Sequence, residues 1–355
     1  MEWYKLRAAG VKDSVIRNLM SAFKEYLDIF KLDEFQLKKY FNIDDGEYKK
    51  IINSKTLSLD KEIENLKKNK VKVLSLKSSN YPEELKNISQ PPVFLYYKGN
   101  ISLIETRRIG VVGTRKATIY GKITCEKMTE DLVNNEITTV SGLALGIDSI
   151  CHKKTLDKSG KTIAVVGSGL DIIYPKENRI LWENIEKSGL IISEYPLGTE
   201  PIGYNFPMRN RIIVGLSRGI LVIESQKKGG SLITAELALE EGREVFAVPG
   251  DIFSPSSEGC NNLIKNSQAK LTTDIKDIIT EYGWEIKNNK NNKNNNLNLT
   301  SYEEKIFSLL EKEKNLDELI LGSSLKASEI LSILMDLEIK HAIISIPGGK
   351  YRRKN

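Results

Sequence analysis

The sequence predicts an α/β protein built on a doubly wound parallel sheet, and three observations lead to that prediction. Between about residues 105 and 284, short runs rich in Val and Ile alternate with helical patterns, such as TCEKMTEDLVNN at 124–135 before ITTVSG at 137–142. The runs are almost continuously apolar, which is typical of strands buried on both faces. Gly or Ser follows most of them, and strand, polar loop and helix in succession form the repeating unit of such a sheet.

Six strands are predicted in this region: IGVVG at 109–113, ITTVSG at 137–142, TIAVVGSG at 162–169, LIISE at 190–194, GILVIES at 219–225 and EVFAVPG at 244–250. Two shorter candidates precede them, VKVLSL at 71–76 and VFLYYKG at 93–99. Ligands of open parallel sheets bind outside the carboxyl ends of the strands. The loops that follow the strands are therefore expected to carry the function.

Smaller regions flank the predicted sheet domain, which covers 67–284. Residues 1–66 have apolar residues at helical spacing and predict a helical module. Gly10 there is compatible with a turn of the helix-hairpin-helix type or of a SAM-like bundle, and equally with an ordinary helix connection. Residues 285–300 are rich in Asn and Lys and predict a flexible linker. Residues 301–355 show three helical patterns and a hairpin-like tail, which predicts a winged-helix-like domain.

The role of that last domain stays open at this point. From residue 339 to 355 the chain has five Lys or Arg residues and no acid, which suits a wing that contacts nucleic acid. Winged helices also serve as protein contacts or as purely structural modules. The sequence favours none of these roles over the others.

Composition narrows the class of protein. The formal net charge of +6 and the pI of about 8.9 favour a polyanionic partner over a cationic one. Three scattered cysteines, Cys125, Cys151 and Cys260, fit neither a disulfide framework nor a zinc site. The sequence shows neither a signal peptide nor a run of eighteen apolar residues. We therefore expect a cytoplasmic protein without a metal or cofactor.

The first strand-end loop, in IGVVGTRK at 109–116, indicates whether the sheet binds a nucleotide, as many sheets of this class do. The dinucleotide fingerprint needs G-x-G-x-x-G, but only Gly113 stands at this turn, and Arg115 and Lys116 follow it. The sequence also lacks a P-loop, and His152 and His341 fit no nucleophilic triad. An NAD-dependent oxidoreductase and an ATP-driven motor are thus disfavoured.

Glycine, hydroxyl and positively charged residues recur in the strand-end loops, where backbone amides can form anion-binding nests. Arg209 and Arg211 bracket Asn210 directly before the apolar run IIVGLS, so we expect them at the start of a helix. Cations oppose the helix dipole there, and a bound anion between them would explain their placement. The alternative is an ion pair with Asp148, Asp171 or Glu194. Four aromatic residues interleave with this charge, as in single-strand nucleic-acid grooves: Tyr174, Tyr195, Tyr204 and Phe206.

The ordered set of motifs resembles the DNA-processing protein A (DprA, also called Smf) family over about residues 80–275. It comprises VVGTRKA, VSGLALGID, GSGLDIIYPKEN, SEYPLGTEPIGYNFPMRNRIIVGLS, GGSLITAELALEEGREVFAVPG and GCNNLI. The resemblance implies an extended Rossmann-like domain that binds single-stranded DNA and forms dimers through that domain. It further implies a role in loading the RecA recombinase during natural transformation, a helical N-terminal module and an optional C-terminal winged helix.

The same resemblance assigns residues. Arg115 matches the family's V-G-[ST]-R turn, Lys176 follows its Tyr-Pro, and Arg209 to Arg211 match its F-P-x-R-N-R segment. Gly229 departs from the family's S-G-S-L-I-T, because it replaces the first serine. The candidate DNA-binding set is Gly113, Thr114, Arg115, Ser141, Gly142, Ser168, Gly169, Lys176, Asn178, Phe206, Arg209, Asn210, Arg211, Gly230 and Ser231.

An enzymatic alternative comes from a wider resemblance. Phosphoribohydrolases of the cytokinin-activating type have a similar sheet and a P-G-G-x-G-T-x-x-E loop. GGSLITAE keeps two glycines and places Glu236 at the offset of the catalytic glutamate, but Leu232 and Ile233 replace the Gly-Thr. The acids Asp148, Asp171, Glu194, Glu224 and Glu236 could also hold a sugar hydroxyl or act as a base. We expect binding rather than hydrolysis.

Overall fold

A computed structural model describes residues 1–285, 299–340, 342–346 and 348–353. They divide into two compact units, one within Met1–Lys287 and the other within Asn288–Asn355. The linker predicted over 285–300 lies, apart from its end residues, outside the described residues. Within those residues, no helix combines the length and apolar character that a membrane span requires.

The first unit is built on a nine-stranded sheet in the order β1-β2-β6-β5-β4-β3-β7-β8-β9. Strands β3 to β9 run parallel to one another, whereas β2 is antiparallel both to β6 and to the edge strand β1. All predicted strands are present, and β9 is an addition. Their bounds are β1 Lys72–Ser75, β2 Phe94–Gly99, β3 Arg108–Val112, β4 Thr138–Ser141, β5 Thr162–Val165, β6 Leu190–Ser193, β7 Gly219–Val222, β8 Glu244–Ala247 and β9 Lys270–Leu271.

Helices connect the strands and cover both faces of the sheet. In the described part of this unit they are α1 Tyr4–Ala8, α2 Asp13–Ala22, α3 Glu34–Phe41, α4 Asp45–Ser54, α5 Asp60–Lys68, α6 Glu83–Lys86, α7 Ile119–Asn134, α8 Ile147–Asp157, α9 Arg179–Ser188, α10 Asn205–Leu216, α11 Gly230–Glu240, α12 Glu258–Lys265 and α13 Ile275–Glu281. Strands β3 to β8 are buried almost throughout. Burial on both faces explains why their sequences are continuously apolar rather than alternating.

The N-terminal helices do not form a core of their own. Leu6, Ile16 and Leu19 belong to one hydrophobic cluster with Phe94 of β2 and Trp182 of α9. The hydroxyls of Tyr4 and Tyr96 also hydrogen-bond at 2.9 Å. The sequence places a domain boundary at residue 66, but the helices before it pack directly on the β2 side of the sheet.

The order of the strands creates a crevice at their carboxyl ends. The connection that leaves β3 leads to β4 on one side, and the connection that leaves β7 leads to β8 on the other, although β3 and β7 are neighbours. Ligands of open α/β sheets bind at such a reversal. The loops after β3 and β7 therefore flank the expected site.

In its described residues, the second unit holds three helices and a small antiparallel sheet in the order β10-β12-β11. Its elements are α14 Ser301–Leu309, β10 Lys314–Asn315, α15 Leu316–Ser323, α16 Ala327–Ile339, β11 Ile343–Ile346 and β12 Lys350–Arg353. Ile306, Leu319, Ile330 and Leu337 form part of its own core. The layout is compatible with the predicted winged helix.

His152 of α8 makes stability depend on pH. The ring is fully buried, its Nδ1 lies 2.7 Å from the Thr162 hydroxyl, and burial lowers its pKa to about 3. The unfolded chain takes up a proton at this histidine below about pH 6.5 and the folded chain does not, so stability falls as pH falls from about 6.5 towards 3.

We expect the His152→Leu variant to lose this contribution. Its free energy of unfolding should depend less steeply on pH than that of the wild type, by up to about 1.4 kcal/mol per pH unit. Urea titrations across this range measure the difference, since carboxylates titrate alike in both proteins. Equal slopes for the two proteins would contradict the prediction.

Candidate nucleic-acid interface

A cleft of about 560 Å³ opens at the carboxyl ends of the central strands. The loops after β3, β4, β5, β6 and β7, one face of α10 and the start of α11 line it. Eight members of the candidate set line this cleft: Gly113, Thr114, Arg115, Phe206, Arg209, Asn210, Gly230 and Ser231. Gly142 and Ser168 instead line a smaller adjoining cavity of about 60 Å³, which shares Arg115, Phe206 and Arg209 with the cleft.

Helix α10 begins earlier than the sequence suggests. The prediction that Arg209 and Arg211 stand at a helix N-terminus is wrong, because the helix starts at Asn205 and both arginines lie inside it. Pro207 obscures the start, but proline is tolerated within the first turn, where amides have no helical partner. The helical period then places Phe206, Arg209 and Asn210 on one face towards the cleft and turns Arg211 away from it.

Arg115 and two aromatic rings form the accessible part of the site. Arg115 is exposed, and its guanidinium carbon lies 5.7 Å from the centroid of the Phe206 ring, within cation–π range. The Phe206 ring contacts Tyr174 with a centroid separation of 5.5 Å and an interplanar angle of 36°. Tyr174 keeps 41% of its surface exposed. A positive charge and two aromatic side chains thus lie together at one opening.

Arg209 lies deeper than Arg115 and the two rings, and it holds the backbone of neighbouring loops. Its side chain is buried, and Nη1 donates to the carbonyl oxygens of Gly142, at 2.7 Å, and Val165. Burial lowers the pKa of Arg209 to about 10, and burial raises the pKa of Asp148 nearby. A Cβ on Gly142 would lie 2.5 Å from Arg209 Nη2 and 2.8 Å from Asp148 Oδ2. Glycine at 142 therefore lets the two charged groups occupy this space.

Arg211 forms the ion pair that the sequence left as an alternative. Its guanidinium binds the Glu194 carboxylate, and both side chains are about nine-tenths buried. Burial raises the pKa of Glu194, and Arg211 opposes that rise. Arg7 of α1 donates to the Glu194 carbonyl oxygen at 2.8 Å. Arg211 therefore lies where the N-terminal helices meet the sheet, outside the lining of both cavities.

Other candidates hold loops in place. The Ser141 hydroxyl donates to the Val111 carbonyl at 2.7 Å, inside the sheet. The Asn178 amide donates to the Leu143 carbonyl at 2.9 Å, and the Ser168 hydroxyl to the Ile172 carbonyl at 3.2 Å. The Gly169 amide donates to Thr199 at 2.9 Å. Lys176 is exposed next to Pro175, which lines the smaller cavity.

The packing of the loop before α11 explains why glycine stands at position 229, where the family motif has serine. A Cβ on Gly229 would collide with the Ser225 hydroxyl, which accepts a hydrogen bond from Ser231 Oγ at 2.9 Å. Ser225 thus supplies a hydroxyl at the place where the replaced serine would bring one. Gly229, Gly230 and Ser231 all line the cleft.

The acids of the enzymatic alternative are placed unfavourably for that chemistry. Glu236 is exposed on α11, outside the lining of the cleft. Asp148 accepts from the Gly142 amide at 3.1 Å, and Asp171 accepts from the Gly198 amide at 2.9 Å. Glu224 is bound to Thr118. These carboxylates hold loop backbone, except Glu236, which has no place in the cleft.

Sequence reasoning missed some lining residues. Gln226 and Ile233 line the cleft beside Gly230. Ile233 follows Gly230 by three positions, so the helical period places it on the same side of α11. Gln226 carries no comparable signal, because it lies in an irregular loop.

Comparisons with known proteins agree with this geometry. The family model for DNA recombination-mediator protein A matches residues 72–283. The chain is 43% identical to DNA processing protein DprA of Streptococcus pneumoniae over 246 residues, 69% of this chain and 81% of that protein. It is 43% identical to DprA of Bacillus subtilis over 212 residues, 59% of this chain and 71% of that protein.

Two solved structures are similar to this one. The X-ray structure of DprA from S. pneumoniae matches with a TM-score of 0.69 and 37% identity, covering 79% of this chain and 98% of that one. A structure of DprA from Helicobacter pylori, described by its single-stranded DNA binding mode, matches with a TM-score of 0.55 and 31% identity, covering 60% and 95%. The family's description names a recombination mediator and no catalytic reaction. The chain belongs to the DNA recombination-mediator protein A family.

Proposed function

We propose that this protein binds single-stranded DNA across the cleft at the carboxyl ends of its parallel strands. This proposal rests on one observation. The exposed Arg115 lies over Phe206, with Tyr174 beside that ring, at the opening of a glycine-rich cleft. Cationic side chains supply affinity for phosphates, and rings stack on bases of any sequence. The binding mode named for the H. pylori relative supports this assignment.

The candidate residues then divide into two roles. Arg115 contacts phosphate, the amides of the Gly113 and Gly230 loops assist it, and Phe206 stacks on a base. Thr114, Asn210 and Ser231 line the path, and Lys176 adds charge at its flank. The remaining members hold these loops through bonds already made within the protein: Ser141, Gly142, Ser168, Gly169, Asn178, Arg209 and Arg211.

The family supports a wider role in the cell. We propose that the protein acts in the cytoplasm, protects incoming DNA in natural transformation and helps to load the RecA recombinase. We also propose that it forms a homodimer through the Rossmann-like domain, which sedimentation of the purified chain would test. Deleting residues 287–355 and comparing affinities for single-stranded and duplex DNA tests a contribution of the winged-helix-like domain.

The salt dependence of binding tests the DNA proposal. Contacts to phosphates release counterions, and each one contributes about 0.7 to the slope of log affinity against log salt on a single strand. We expect Arg115→Ala to weaken binding to an oligothymidylate and to lower that slope by about 0.7, as measured by fluorescence anisotropy over a salt series.

Arg107→Ala is the matched control for this experiment. Arg107 is an exposed arginine just before β3, at the opposite end of the strand, and its guanidinium lies 5.6 Å from the Trp284 ring centroid. The Arg107→Ala substitution therefore removes the same charge and a similar ring contact as Arg115→Ala, but far from the cleft. Equal effects of the two substitutions, or none from Arg115→Ala, would contradict DNA binding at this site.

A further inference from the structure

The loop that carries Arg115 is fastened at its beginning. The Thr114 amide donates to the Glu224 carbonyl at 2.8 Å, and the Thr114 carbonyl accepts from the Ile147 amide at 3.2 Å. The loop thereby bonds to the ends of two structural neighbours, β7 and α8. Arg115 and Lys116 follow directly, and both side chains are exposed.

The Glu224 side chain fastens the other end of the loop. Its carboxylate accepts from the Thr118 amide at 2.9 Å and from the Thr118 hydroxyl at 2.5 Å. Thr118 caps α7, because its hydroxyl also accepts from the Gly121 amide at 3.1 Å. One residue thus binds both ends of a short segment, with its backbone at Thr114 and its side chain at Thr118.

Burying an ionised carboxylate costs free energy, which hydrogen bonds must offset. Glu224 keeps 2% of its surface exposed, and its carboxylate oxygens accept from the Thr118 amide and hydroxyl, which carry no charge. Hydrogen bonds and the positive end of the α7 dipole compensate the charge in part. Gly121 makes room for it, since a Cβ there would collide with Glu224 Oε2.

We propose that Glu224 is a positioning residue that keeps Arg115 over Phe206, where the guanidinium meets the DNA phosphate. The inference rests on the proposed binding of DNA in this cleft. Without the carboxylate, Thr118 at the end of the segment is released from residue 224, and the Arg115 side chain samples positions away from the cleft. Glu224 acts through Arg115 and does not itself contact DNA.

The sign of the effect separates positioning from simple electrostatics. Removing a negative charge near bound DNA should tighten binding if Glu224 acts only as a charge. Loss of Arg115 positioning should instead weaken it, by about tenfold, the amount that one misplaced charged hydrogen bond costs. The salt slope should also fall by about 0.7, as in Arg115→Ala.

The experiment measures oligothymidylate binding to the full chain over a salt series, with Arg115→Ala as the reference. We expect Glu224→Ala to weaken binding and Arg115→Ala/Glu224→Ala to bind no more weakly than Arg115→Ala alone, because coupled residues are non-additive. Glu224→Gln should bind almost as the wild type does, since its amide can still bond Thr118. Glu236→Ala, which removes an exposed carboxylate outside the cleft, should have no effect.

Thr118→Val gives a second route if Glu224→Ala fails to fold, because it removes the hydroxyl donor and leaves the carboxylate in place. It should weaken binding in the same direction. If Arg115→Ala weakens binding while Glu224→Ala and Thr118→Val leave affinity and salt slope unchanged, or tighten binding, the positioning role is wrong and the DNA site stands. If Arg115→Ala itself has no effect, the DNA proposal fails.

Discussion

Replacing Arg209 by alanine is expected to lower the free energy of unfolding by about 3–5 kcal/mol, because two buried carbonyl oxygens lose their charged donor and a buried carboxylate loses a nearby positive charge. The Arg209 guanidinium satisfies the carbonyl oxygens of Gly142 and Val165, at the ends of β4 and β5. Without it, both acceptors lose a donor, and the buried Asp148 loses its positive neighbour. The first result should therefore be a less stable protein, with weaker DNA binding as its consequence.

Urea unfolding followed by circular dichroism measures this change. Arg115→Ala is the control, because an exposed arginine on a loop should alter stability by no more than about 0.5 kcal/mol. Arg209→Lys should recover part of the loss, since an ammonium can reach one carbonyl but cannot reproduce the fork of the guanidinium. Unchanged stability of Arg209→Ala together with weak DNA binding would mean that Arg209 is a direct DNA contact.

The sheet could be predicted from the sequence because its strands are buried on both faces. Strands β3 to β8 contain almost no polar residue that points to solvent, so their apolar runs are short, dense and separated by Gly or Ser. The loops that follow them had to meet at one edge, because parallel strands end on the same side. Gly113, Arg115, Phe206 and Gly230 do meet there.

The individual contacts of the basic residues could not be predicted in the same way. Arg209 and Arg211 look equivalent in FPMRNR, yet one reaches the buried ends of β4 and β5 and the other pairs with Glu194. Their difference depends on where α10 begins, and Pro207 gives an ambiguous signal. The apolar run IIVGLS suggested a start after Arg211, whereas the helix starts at Asn205.

Long-range packing was the other unpredictable feature. From the sequence, the N-terminal helices are predicted as a separate module because the spacing of their apolar residues is a local pattern. Their packing partners Phe94 and Trp182 lie far away in sequence. The antiparallel pairing of β2 with β6, and of β1 with β2, likewise joins segments in a way that no local pattern encodes. The role of Glu224 belongs to the same class, because its partner Thr118 lies 106 residues earlier.

Replacing Phe206 by alanine should weaken single-strand binding by about 1–3 kcal/mol, the range measured when a base loses its aromatic platform, without changing the salt slope. The ring carries no charge, so its loss removes stacking and leaves counterion release as it was. That signature is opposite to the one expected for Arg115→Ala, which lowers the slope.

The pair of rings makes this prediction sharper. Phe206 contacts both Arg115 and Tyr174, so Phe206→Ala removes a contact from both, whereas Tyr174→Ala removes only one ring. We expect Tyr174→Ala to have the smaller effect and Phe206→Ala/Tyr174→Ala to be less than additive, since neighbours that share a contact are coupled. Phe206→Tyr, which keeps a ring face, should bind nearly as the wild type does. A lower salt slope in Phe206→Ala would show instead that the ring acts by holding Arg115 in place, so that the cleft binds phosphates without stacking a base on Phe206.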